Sequence, residues 1–228
     1  MTAFTLYYKV SAVEQNWAAE HLQVIRTLME RAAIYRRALA PVMLLTGGLG
    51  LVAAALGIGL KIDSPRGFIG YWMALSLLPL AGSYILVRRQ SLRDGDPFWS
   101  PPTRRVTQAL LPPLGAGLVA GLVLLIHMGH PPPGAGAAEN VVAMLWLPLA
   151  WIVLYGCAMH AAGFFMPRGM KIFGWAFILG GCGFFALGIP DAVPRHIYAH
   201  GLMGFFFGAL HLAYGGYLYF TEKRKNEA

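Results

Sequence analysis

Residues 141–163 read VVAMLWLPLAWIVLYGCAMHAAG, a run without Asp, Glu, Lys or Arg. A helix needs about 20 consecutive apolar residues to cross the hydrocarbon of a bilayer, where every backbone N–H and C=O must be bonded within the segment. This run meets that length, and so do runs at about 41–60, 68–87, 109–128, 170–189 and 197–220. The gaps between them hold charges or helix-stopping residues, such as Asp63-Ser64-Pro65-Arg66, His130-Pro131-Pro132-Pro133 and Pro190 to Pro194. The expected fold is all-α, a six-helix transmembrane bundle over 41–220. An amphipathic cytoplasmic segment (1–40) precedes it and a basic tail (221–228) follows.

Composition agrees with this reading. Of the 228 residues, 57% are hydrophobic and 12% charged, against about 25% charged in a soluble domain. Mean hydropathy is +0.56. A soluble core could not hide so much apolar surface behind so few charges, and a disordered chain would be poorer in it. Cys157 and Cys182 both fall inside apolar runs, so no disulfide framework is expected. The first forty residues carry charges throughout and have no short apolar core, so no secretory signal is expected there.

The basic residues set the orientation, because cytoplasmic loops retain Lys and Arg. Lys9, Arg26, Arg31, Arg36 and Arg37 precede the first run. Arg88, Arg89, Arg93, Arg104 and Arg105 lie between the second and third, and Arg168 and Lys171 between the fourth and fifth. Lys223, Arg224 and Lys225 end the chain, and only Lys61, Arg66 and Arg195 fall on the other side. Both termini are therefore expected in the cytoplasm, and the net charge of +8 resides entirely on that side. The excess reads as a topology signal and a surface for anionic lipid, with no nucleic acid partner.

Residues 12–40 carry Leu22, Ile25, Met29 and Ala32 at helical spacing, with Trp17 one turn earlier. They are expected to lie along the inner membrane surface, or to contact a protein partner or a second copy. In the second loop, Phe98 and Trp99 suit the headgroup level. Pro97, Pro101 and Pro102 are expected to prevent regular structure there, leaving an ordered interfacial plug.

The chain contains 28 glycines. Gly174, Gly181 and Gly188 recur every seven residues; Gly204, Gly208 and Gly215 form a second seam; Gly117 and Gly121 have the same spacing as Gly204 and Gly208. Such seams let helix backbones approach closely where lipid supplies no hydrophobic drive to association. His200 and His211 fall within the same helical arc as Gly204, Gly208 and Gly215, which describes a glycine groove flanked by histidines. His160 and His211 are candidates for a bis-histidine haem site. His127, His130, His196 and His200 are expected on the outer side, where they could hold a transition metal with Glu139 or Asp191. The bland alternative is neutral histidines bonded to backbone or a neighbouring helix.

No P-loop, HExxH, GxSxG or GxGxxG is present, and no run has a central carboxylate, lysine or arginine of the kind coupled transport often uses. No catalytic residue is expected. The leading expectation is a non-enzymatic scaffold, sensor or accessory subunit without a cofactor. The alternatives are a small-molecule or metal transporter using the groove, and a haem-bearing electron-transfer subunit.

Residues 20–31 (EHLQVIRTLMER), 97–103 (PFWSPPT), 163–170 (GFFMPRGM) and 211–215 (HLAYG) resemble a family of bacterial six-span integral membrane proteins with no assigned activity. The resemblance covers most of the chain. It implies the bacterial inner membrane as compartment and transfers no residue role.

Overall fold

The computed structural model describes residues 17, 38–95, 97–127, 142–166, 169–187 and 193–226. Apart from Trp17 and residues 38–40, the amphipathic N-terminal segment lies outside them, as do His130, Glu139, Gly188 and Asp191. The described residues are helical, with no strand among them. We label the helices α1 (Ala38–Gly59), α2 (Pro65–Asp94), α3 (Pro101–His127), α4 (Val142–Ala162), α5 (Gly169–Leu187) and α6 (195–226). The first turn of α4, Val142–Trp146, is π-helical. In α6 a π-helical stretch, Gly204–Leu210, separates Arg195–Met203 from His211–Asn226. Helices α1 to α5 are each long and apolar enough to cross a membrane, as in a multi-pass membrane protein.

Local sequence explains the helix ends. Ser64 caps α2, its Oγ accepting from the Gly67 N–H at 3.2 Å, and Pro65 follows at the first helical position. At the other end Gly95 takes the left-handed conformation, φ 67°, and donates its N–H to the Ser91 carbonyl. Two expectations need correction at α3. Pro101 and Pro102 do not break structure but start the helix, since a first-turn residue has no use for an N–H. The helix therefore begins well before residue 109, and Pro112 and Pro113 lie inside it. The Arg104 N–H donates to the Ser100 carbonyl at 3.0 Å, and the Ser100 and Thr103 hydroxyls bond at 2.9 Å.

Glycines set the helix contacts. Along α1 and α6, Gly47 meets Leu212 and Gly208, Gly50 meets the Phe207 carbonyl, Gly204 meets Ala54, Gly208 meets Leu51, and Gly215 meets Leu44. The seam of Gly204, Gly208 and Gly215 is thus no open groove, because α1 fills it. Between α4 and α5, Gly156 and Gly174 face each other's backbones, and Gly181 lies against Val153. In α3, Gly117 and Gly121 make room for the Trp151 indole, whose N–H donates to the Gly117 carbonyl at 2.8 Å. Two clusters fill the interior. One joins Leu149, Ile152, Phe173, Phe177 and Phe206; the other joins Ala53, Phe68, Ile69, Trp72, Met144 and Ala199. Leu77, Leu80 and Ile85 of α2, and Leu111, Leu118 and Ile126 of α3, are exposed, as lipid-facing side chains would be.

Candidate functional site

Helix α6 carries two buried polar centres, each built on a histidine with no solvent exposure. At the first, the Trp72 indole N–H lies 3.1 Å from His200 Nδ1, and His200 Nε2 lies 3.1 Å from the Ile62 carbonyl. An indole nitrogen can only donate and a carbonyl can only accept. His200 therefore carries its proton on Nε2 and is neutral. Phe68, Tyr71 and Trp72 surround the ring at 5.0, 5.9 and 6.0 Å between centroids. Gly57 closes the site, as a β-carbon there would run into the imidazole. The bond to Ile62 holds the 60–64 turn, in which Lys61 adopts a left-handed φ of 52°, against α6. The Tyr71 hydroxyl donates nearby to the Ala53 carbonyl at 2.6 Å, tying α2 to α1.

The second centre has the opposite tautomer. His211 Nδ1 lies 2.9 Å from the Phe206 carbonyl, and Nε2 lies 2.7 Å from the Tyr155 hydroxyl. The carbonyl must accept, so the proton sits on Nδ1 and Tyr155 donates to Nε2. The Phe206 carbonyl belongs to the π-helical stretch. The wider turn disturbs the regular ladder there, and the histidine five residues on supplies a donor. Phe173, Phe177, Phe207 and Tyr155 enclose the imidazole.

The other histidines are placed differently. His160 is half-buried between Phe164 and Trp175, in surroundings separate from those of His211, and its Nδ1 has no hydrogen-bond partner in the structure. His127 is exposed at the end of α3 and His196 is half-buried. Among the described residues no three His, Cys, Asp or Glu side chains converge as a metal site. A metal ion on His200, or a haem iron on His211, would have to displace one of the bonds just described.

His200 and His211 stand out in the sequence, whereas their partners do not. Trp72 and Tyr155 are polar-tipped aromatics within apolar runs, and that is the signal that could have found them. Trp72→Phe keeps a ring in place but removes the indole N–H that donates to His200 Nδ1. It should cost about 1 kcal/mol of stability, read as a lowered thermal midpoint of the detergent-solubilised chain, while Trp99→Phe leaves the midpoint unchanged. Comparison with protein-family models, with curated proteins and with solved structures finds no match.

Proposed function

We propose that this chain is a six-span protein of a bacterial inner membrane, with both termini cytoplasmic, and that it acts as a non-enzymatic accessory subunit or scaffold. The observation that carries the reading is the internal satisfaction of the two fully buried histidines of α6, His200 and His211. Both ring nitrogens of His200 and of His211 are bonded within the protein, and each ring is packed among aromatics. A transporter or cofactor protein needs polar groups aimed at its cargo, whereas the imidazoles of His200 and His211 tie α6 to α2, to the 60–64 turn and to α4. The distribution of Lys and Arg supports the orientation, and the resemblance to bacterial six-span proteins supports the compartment. The amphipathic segment before α1 and the basic α2–α3 connection form the cytoplasmic face available to a partner.

Purification of the full chain in mild detergent tests the role. The expected preparation is colourless, free of stoichiometric metal and accompanied by a partner protein that is lost when residues 12–36 are deleted. A Soret band, bound metal lost in His200→Ala, or a solitary chain overturns the proposal. Orientation has its own test. On a background without Cys157 and Cys182, a membrane-impermeant maleimide should label Ser64→Cys in intact cells. Ser100→Cys should be labelled only after permeabilisation, and the reverse pattern inverts the topology.

A further inference from the structure

We propose that the corner where α2 passes into α3 binds an anionic phospholipid, with the phosphate at Arg88 and an acyl chain along α2. Leu77, Leu80, Tyr84 and Arg88 recur at three- and four-residue spacing, so they form one stripe along the helix, and all four are exposed. The stripe is apolar at its first two positions, aromatic at the third and cationic at its end, which is the polarity profile of a phospholipid.

The upper end of the stripe is organised. Arg88 Nη1 donates to the Tyr84 hydroxyl at 3.3 Å, which holds the guanidinium against the ring. Phe98 packs edge-on against Tyr84 at 5.2 Å, and its ring centroid lies 6.5 Å from that of Trp99. Tyr84 and Trp99 are 50% and 59% exposed, so two amphipathic rings lie open beside the cation, as rings at the headgroup level do. Arg89, Arg93, Arg104 and Arg105 are exposed around the same corner. Asp94 and Asp96 are the only acidic residues between 88 and 105, so the segment is net basic. The Arg88 guanidinium is a planar fork that can pair with two phosphate oxygens at once. The proposal rests on the membrane reading but not on which side of the membrane the corner occupies.

The test uses the full chain in nanodiscs, followed by release into detergent and native mass spectrometry of the lipids retained. The probes are phosphatidylglycerol and phosphatidylcholine with identical acyl chains. Wild type should retain phosphatidylglycerol in preference. Arg88→Gln should lower that retention about fivefold, the change expected for one basic residue at an anionic surface. Arg66→Gln, on the opposite side, should leave it unchanged. Tyr84→Phe keeps the ring but releases the guanidinium, and should give a smaller loss in the same direction. Equal retention of the two lipids by wild type, or undiminished phosphatidylglycerol on Arg88→Gln, overturns the proposal. Failure of every variant and of wild type to enter nanodiscs would count instead against the membrane reading.

Discussion

Gly50→Ala should cost the folded bundle about 1–3 kcal/mol, the range for forcing extra volume into a packed interior. The added methyl would meet the carbonyl carbon and oxygen of Phe207 in α6, and backbone atoms cannot rotate away as a side chain can. The two helices would have to separate. The loss would spread along the seam, because a β-carbon at Gly47 would come within 2.7 Å of the Leu212 nitrogen and one at Gly208 within 2.9 Å of the Leu51 nitrogen. In lipid, helix association depends on such close approach, since there is no apolar surface to remove from water. Gly48 provides the control. A β-carbon there meets nothing within 4 Å, so Gly48→Ala should be neutral or slightly stabilising, as alanine has less backbone freedom to lose. Thermal unfolding in detergent compares the two. Equal losses, or none at Gly50, would remove the seam as a source of stability.

How much of this was legible in the sequence depends on the length scale of the signal. The apolar runs were legible because bilayer thickness imposes a length, and five described helices answer to them. Their ends were less so. Pro101-Pro102 reads as a breaker because proline's missing N–H is harmful inside a helix, but at a first turn the same absence is harmless. The glycine seam was found, but which helix it faces was not. Periodicity identifies a face and never its partner, and the groove drawn on α6 is where α1 lies. The π-helical stretch was not legible at all. Gly204–Leu210 has no composition that distinguishes it from α-helix, yet this widened turn contains the carbonyl that His211 bonds.

That stretch also explains why the two histidines of α6 have different neighbours. At a uniform 100° per residue, His200 and His211 flank one groove. A π turn takes more residues than an α turn, so the residues beyond it fall behind that phase. His200 meets α2 and the 60–64 turn, whereas His211 meets α4 and α5. One helix thus bonds to both halves of the molecule. Each tie is a neutral imidazole in a defined tautomer, and none needs a charge within the apolar interior.

His211→Leu should therefore be among the most damaging single changes, at about 2–3 kcal/mol, although leucine is close to histidine in size. The loss has two parts. The Phe206 carbonyl loses its side-chain donor, and the Tyr155 hydroxyl is left without an acceptor among Phe177, Phe207 and the vacated ring position. Tyr155→Phe removes only the hydroxyl and leaves Nε2 unpaired, so it should cost about 1 kcal/mol. Intramembrane hydrogen bonds average about 0.6 kcal/mol in double-mutant cycles, because the unfolded chain in lipid also finds partners, and that holds both values to the lower part of the usual range. The decisive quantity is the coupling. Once His211 is leucine, the tyrosine hydroxyl is an unsatisfied group rather than a partner, so adding Tyr155→Phe should restore stability rather than remove more. The double variant should be no less stable than His211→Leu alone, measured by equilibrium unfolding of the four chains in one detergent. Simple addition of the two single losses would mean that the 2.7 Å contact contributes nothing, and that each ring acts only by filling space.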